Sequence, residues 1–201
     1  MSYFLHLQKD KKLVPFLKTS FPPLKFRNNI PLRLMASIMS QQLSSRVADV
    51  IYKRFLQLFD GKEPTAEQVL AVPKETLRSI GLSNAKTSYI HNVALFCIEK
   101  NIDDKMLKAL PNEEIIELLT QIKGVGRWTV EMLLMFSLGR EDVFAADDLA
   151  LQQAMMHAYK WKDLDKKILR QKMLKQSEKW KPYRTYACLH LWHWKDNAAD
   201  L

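Results

Sequence analysis

Apolar residues recur along this chain at helical spacing, three and four apart, and no stretch alternates Val, Ile or Thr with polar residues as a strand would. Residues 1–30 are broken by Pro15, Pro22 and Pro23 and predict one short helix and an irregular wrap. From Pro31, residues Leu32, Met35, Ile38 and Met39 share one side of a helix that Ser40–Ser44 interrupts. A second helix carries Leu43, Val47, Val50, Ile51, Phe55 and Leu58 and stops at Gly61. Thr65 caps a short helix through Val72, and Pro73 opens another that ends at Gly81. Ser83 or Asn84 caps a longer helix to about Lys100, with Ile90, Val93, Ala94 and Cys97 on its core face. Leu107–Leu110 forms a short helical turn. Helices then follow over about 112–122, 127–138, 149–159, 165–179 and 183–194. The expected fold is all-α. The Pro-containing break at 101–111 predicts two helical lobes flanking a cleft, roughly 31–105 and 1–30 plus 106–201, inside one 201-residue domain.

The chain is organised around Gln121–Leu151. Only five glycines occur in the protein, and Gly124 and Gly126 stand here with one residue between them. Glycine tolerates positive φ, so Gly124-Val125-Gly126 reads as a hairpin joining two helices. The first helix starts at Pro111-Asn112, has Glu113 and Glu114 in its first turn, and aligns Ile115, Leu118, Leu119 and Ile122. The second runs from Arg127 to Gly139 and has almost no polar face, so burial on all sides is expected. A hairpin tip beside a helix N-terminus leaves backbone N–H groups available for a phosphate, although an ordinary helix–Gly–helix turn has the same residues.

Charge sharpens this. Lys and Arg total 31 against 22 Asp and Glu, a formal net charge of +9, which favours a polyanionic partner. Cys97 and Cys188 are the only cysteines and lie in apolar helical patterns, which points to reduced, buried thiols rather than a disulfide framework or metal cluster. The N-terminus turns charged too soon for a signal peptide, and no apolar run reaches membrane-spanning length, so an intracellular protein without a membrane partner is expected.

Candidate chemistry is sparse. Asp147 and Asp148 sit in a short loop before a helix, where one can cap the helix and one carboxylate can stay ionised beside the helix N-terminus. Five tryptophans are many for this length, and aromatic faces are what a nucleobase pocket needs. Trp180 and Trp194 are expected in the core. His190 and His193 have no third ligand nearby, so a metal is not expected. Ser44 and Ser45 lack a His partner, which argues against a serine hydrolase.

Five segments in order resemble the helix–hairpin–helix superfamily of DNA glycosylases, and within it the alkylation-repair branch of DNA-3-methyladenine glycosylase II. They are Ser-Gln-Gln-Leu-Ser (40–44), Gly-Leu-Ser-Asn-Ala-Lys (81–86), Ile-Lys-Gly-Val-Gly-Arg-Trp-Thr (122–129), Asp-Val-Phe-Ala-Ala-Asp-Asp-Leu (142–149) and Trp-Lys-Pro-Tyr-Arg-Thr-Tyr-Ala (180–187). Larger members have an N-terminal β-rich lobe. This chain has only about 30 residues there and is similar to the compact, all-helical members.

The resemblance implies that Asp148 is the essential aspartate, with Asp147 a neighbour or cap. It implies that Trp128, Trp192 and Met132 line the base pocket. The hairpin Lys123, Gly124, Val125 and Gly126, with Arg127 and Thr129, would bind DNA, and a monovalent cation could sit on its carbonyls; no other cofactor is implied. Gln42 matches the wedge that fills the gap left by the extruded nucleotide, with Leu43 a competitor. Strand-cutting members have lysine where this chain has Trp128, so the resemblance implies a monofunctional enzyme that leaves an abasic site. The expected partner is duplex DNA with damaged bases, met as a monomer. A glycosylase for deaminated or oxidised bases and a non-catalytic DNA-binding module are the alternatives.

Overall fold

In a computed structural model that describes residues 3–197, the described residues form twelve α-helices and two 3-10 turns, with no strand. The helices are α1 (Tyr3–Leu7), α2 (Ile30–Ser40), α3 (Ser45–Gln57), α4 (Ala66–Ala71), α5 (Lys74–Ser79), α6 (Asn84–Glu99), α7 (Asp104–Ala109), α8 (Asn112–Leu119), α9 (Arg127–Phe136), α10 (Leu149–Tyr159), α11 (Lys166–Ser177) and α12 (Arg184–Asn197). The expected caps Thr65, Ser83 and Asp148 are in place, and Ser44 and Asp165 act likewise. Each accepts a backbone N–H from the first turn of the helix it precedes, and Thr65 with Gln68 forms a reciprocal capping box.

Two compact units result, residues 26–138 and residues 1–25 with 139–201. The expected lobe boundary near 105 differs from this division. The α8–hairpin–α9 pair stays with residues 26–138 because α9 packs on both α2 and α8. Val130, Leu133, Leu134 and Met135 of α9 are all buried, and each buried side chain of this kind stabilises by roughly 1.5–3 kcal/mol.

Within residues 26–138, α6 is the centre. It packs against α2, α4 and α5, and its expected core face of Ile90, Val93, Ala94 and Cys97 is buried. The stripe on α3 is narrower than its periodicity implies. Only Ile51 and Phe55 are buried, while Val47 and Val50 are exposed. Nor is α9 buried on all sides. Trp128 and Phe136 are each 40% exposed, with half-buried Met132 between them at helical spacing.

In the other unit, α10 packs on α12 and α11. The N-terminal segment is tied down by Asp10. Its Oδ2 accepts hydrogen bonds from the Tyr159 hydroxyl, Gln176 Nε2 (2.7 Å) and Trp180 Nε1 (3.0 Å). Burial works to raise the Asp10 pKa, but these bonds and the Lys12 N–H outweigh it and hold the carboxyl below its ordinary value. Trp180 is fully buried as expected, whereas Trp194 is only half-buried and stacks on His157. Both cysteines are free and buried. No described helix is long and apolar enough to cross a membrane.

His190 on α12 is fully buried, and neither ring nitrogen has a hydrogen-bond partner. The rings of Phe21, Tyr3 and Phe4 surround it at 4.9, 5.9 and 6.0 Å. Burial, and then the charge of His193, push its pKa from 6.5 down to about 4. Between those values the unfolded chain binds a proton that the folded chain refuses. Stability is therefore complete above pH 6.5 and is lost as pH falls toward 4. We expect His190 to account for about 2 kcal/mol of stability loss between about pH 7.5 and pH 5. Urea denaturation should show that His190→Leu removes this part of the pH dependence. An unchanged pH slope would mean that His190 is protonated in the folded chain.

Candidate active site and nucleic-acid interface

Asp148 is the N-cap of α10. Its Oδ1 accepts the Leu151 N–H at 2.8 Å and the Trp192 Nε1–H at 2.9 Å. Asp148 as a residue is half-buried, neither fully exposed nor part of the buried core. Its loop is held from below. Val143, Phe144, Ala145 and Ala146 are buried, the Asp148 N–H donates to the Ala145 carbonyl, and Gln152 Nε2 donates to the Ala146 carbonyl. At the start of α12, Arg184 grips the Asp142 carboxylate with two bonds of 2.6 and 3.0 Å, and Thr185 Oγ1 accepts the Val143 N–H. One helix thus pins the loop at its base and, two turns on, delivers the indole that orients the carboxylate. This places Trp192 on the carboxylate itself, a contact that the expectation of a base-lining residue had not included. Asp147 is exposed and pairs with Arg170 at 3.1 Å. Capping falls to Asp148, because its side chain stands three residues before the N–H that it accepts.

The hairpin belongs to residues 26–138. Gly124 has φ of 103°, and the Tyr89 ring of α6 packs so closely that a β-carbon would lie 2.2 Å from it. Asn92, also on α6, donates to the Lys123 carbonyl at 3.0 Å. Among the described residues, the N–H groups of Gly124, Gly126 and Arg127 make no hydrogen bond, and Gly126 faces open space. These three are among the N–H groups available to a phosphate at the tip. Gly126 has φ of −94°, so it leaves room for a ligand rather than adopting a conformation that only glycine tolerates.

Three expected DNA contacts look different in the structure. Val125 is buried and its N–H is spent on the Ile122 carbonyl. Thr129 is also buried, and its hydroxyl accepts from Gln41 Nε2 at 3.2 Å, so it supports the neighbouring turn. The Arg127 guanidinium is engaged by Glu113 at 2.8 Å and by buried Glu131 at 3.0 Å. Burial works to lower its pKa, but the two carboxylates outweigh that and raise it. Helix packing brings these acids to the Arg127 guanidinium, while the Arg127 backbone N–H makes no hydrogen bond. Lys123 keeps an exposed side chain.

Gln42, the wedge candidate, is exposed at φ of 59° in the turn between α2 and α3, and Leu43 beside it is half-buried. Trp128 and Met132 lie one turn apart on the partly exposed face of α9. Met132 also lines a cavity of about 320 Å³, together with Phe136, Ser37, Ser40 and Tyr52. Sequence reasoning left Gln41, Tyr89 and Asn92 without roles. Their helical register could have shown which face they occupy, but not which loop that face meets.

Comparison with known proteins places this geometry. The family model described as HhH-GPD superfamily base excision DNA repair protein matches residues 35–182. DNA-3-methyladenine glycosylase 1 of Schizosaccharomyces pombe is 38% identical over 185 residues, covering 90% of this chain and 80% of that protein. The crystal structure of a DNA-3-methyladenine glycosidase from Bacillus halodurans superposes with a TM-score of 0.82 at 36% identity, over 97% of this chain and 89% of that one. The Schizosaccharomyces pombe 3-methyladenine DNA glycosylase in complex with abasic DNA gives a TM-score of 0.81 at 34% identity, over 96% and 95% of the two chains.

Proposed function

This chain belongs to the HhH-GPD superfamily of base excision DNA repair proteins, and on that premise we propose that it is a monofunctional DNA glycosylase that releases alkylated purines of the 3-methyladenine type from duplex DNA. The observation that carries this reading is the carboxylate of half-buried Asp148, fixed at Oδ1 by the Leu151 N–H and the Trp192 indole. The names of the relatives above support the substrate class. We take all 201 residues as one catalytic domain that works as a monomer.

The net charge of +9 draws the duplex by its phosphates, and affinity falls as salt rises. The N–H groups of Gly124, Gly126 and Arg127 hold one phosphate; a monovalent cation, if bound, would be held by carbonyls of hairpin residues 123–126 and would add positive charge beside it. Gln42 enters the stack, and the damaged nucleotide rotates out at a cost of a few kcal/mol. An alkylated purine carries positive charge and stacks on an exposed aromatic face such as Trp128, a contact worth roughly 0.5–2 kcal/mol.

The C1′–N bond then breaks, and its electron pair leaves with the base, which departs neutral. The sugar becomes oxocarbenium-like, and the Asp148 carboxylate stabilises that charge. Water adds at C1′ and gives its proton to Asp148. A single carboxylate suffices because the leaving base needs no protonation, unlike an ordinary glycoside. Trp128 has no amine for a Schiff base, so the strand stays whole. This reading puts the protein wherever the cell keeps its DNA.

The test is incubation with duplex DNA carrying 3-methyladenine. Free base should appear, and the strand should break only after alkali. Absence of base release would overturn the glycosylase reading, and strand cleavage without alkali would overturn its monofunctional form.

A further inference from the structure

The turn that carries Gln42 is mounted on a lysine from a different helix. The last four carbonyls of α2 all find partners. The Ser37 carbonyl accepts from Ser40 Oγ, that of Ile38 from the Gln41 N–H, and that of Ser40 from the Leu43 N–H. The Met39 carbonyl, together with that of Gln41 just beyond the helix, accepts from Lys86 Nζ at 2.9 and 2.7 Å. The ammonium therefore sits at the negative end of α2, where a cation is favoured. Burial lowers its pKa, and its two carbonyl partners are fixed backbone atoms. Gln41 extends from the same turn to Thr129 of α9, so the turn is held by α6 on one side and α9 on the other. Between these supports Gln42 takes φ of 59°, a conformation that costs a residue with a side chain unless its surroundings impose it.

We propose that Lys86 is a positioning residue for the Gln42 turn: it clamps the carbonyls on both sides of Ser40 and holds the turn in the shape that enters the DNA stack. This rests on the reading of Gln42 as the inserting residue given above. Lys86 touches neither the lesion nor the sugar. Without its ammonium the end of α2 frays, and Gln42 relaxes out of its left-handed conformation. Binding through the hairpin persists, because Tyr89 and Asn92 support the hairpin from elsewhere on α6.

The test does not need turnover. Protein carrying Asp148→Asn is bound to a duplex with 2-aminopurine beside an abasic-site analogue, since this base brightens when its stacking is broken. The parent should produce a clear rise in emission. Lys86→Met should cut that rise by about fivefold while changing duplex affinity less than about threefold, because the phosphate contacts remain. Lys86→Arg, which keeps a cation at the same carbonyls, should restore most of the rise. In the free protein, Lys86→Met should speed exchange of the Leu43 amide and leave that of Val93 in mid-α6 unchanged. If the Met variant does not fold, Lys86→Gln, whose neutral and shorter amide reaches the two carbonyls less well, should give an intermediate rise. A full rise in Lys86→Met or Lys86→Gln overturns the proposal, as does the lack of any rise with the parent. A normal rise, where the form that keeps Asp148 releases no methylated base, would instead remove the alkylpurine reading and leave this role for Lys86 intact.

Discussion

Asp148→Asn is expected to slow base release by on the order of 10³-fold, the scale on which loss of one preorganised charge-stabilising group acts. Duplex affinity should stay within about twofold of the parent, because no phosphate donor is touched. The substitution is a clean one on structural grounds. Asparagine caps helices as well as aspartate does, and its carbonyl oxygen can still accept from the Leu151 N–H and the Trp192 indole. Stability should therefore change by no more than about 0.5 kcal/mol. What the variant loses is the negative charge that an oxocarbenium-like sugar requires and the base that takes a proton from water. Single-turnover release of 3-methyladenine, measured beside binding to the same duplex, checks both halves. Release at the parent rate would remove Asp148 from the reaction and, with it, the mechanism proposed for this protein.

Gly124→Ala is expected to cost about 2–5 kcal/mol of stability, which combines a left-handed backbone with overpacking. Its φ is 103°, and the new methyl group would lie 2.2, 2.3 and 2.6 Å from carbons of the Tyr89 ring. Backbone or ring must move, and either movement disturbs the tip whose N–H groups face the phosphate. Duplex affinity should fall by about tenfold or more as these contacts are lost. Gly126→Ala is the control. With φ of −94° and nothing within 4 Å of the added carbon, it should cost no more than about 1 kcal/mol, the effect of alanine at a helix N-cap. Urea denaturation of both variants decides the matter. If the two alanines were equally stable, the Tyr89 contact would not be what holds the hairpin in shape.

Much of the fold was legible along the chain because helix ends are local chemistry. The start of α10 after Asp148, the Thr65 cap and the Ser83 cap each depend on a side chain and an N–H three residues apart, and that information is contiguous. Stripe width was less legible. Val47 and Val50 fit the apolar period of α3, yet they are exposed, since periodicity identifies a helix without saying how much of it a neighbour covers. The same holds for α9, whose nearly continuous apolar run suggested full burial although Trp128 and Phe136 remain partly exposed.

By itself, then, the chain specified its helices, the Gly124–Gly126 hairpin, the aspartate before α10 and the surplus of positive charge, because each rests on residue type and near-neighbour spacing. Tertiary structure alone decided that Trp192 orients the Asp148 carboxylate, 44 residues away. It also decided that Glu113 and Glu131 occupy the Arg127 guanidinium and that Lys86 caps the end of α2. These pairings join helices whose mutual register is set by core packing. A periodic pattern tells which face a side chain is on, but not which partner that face will meet.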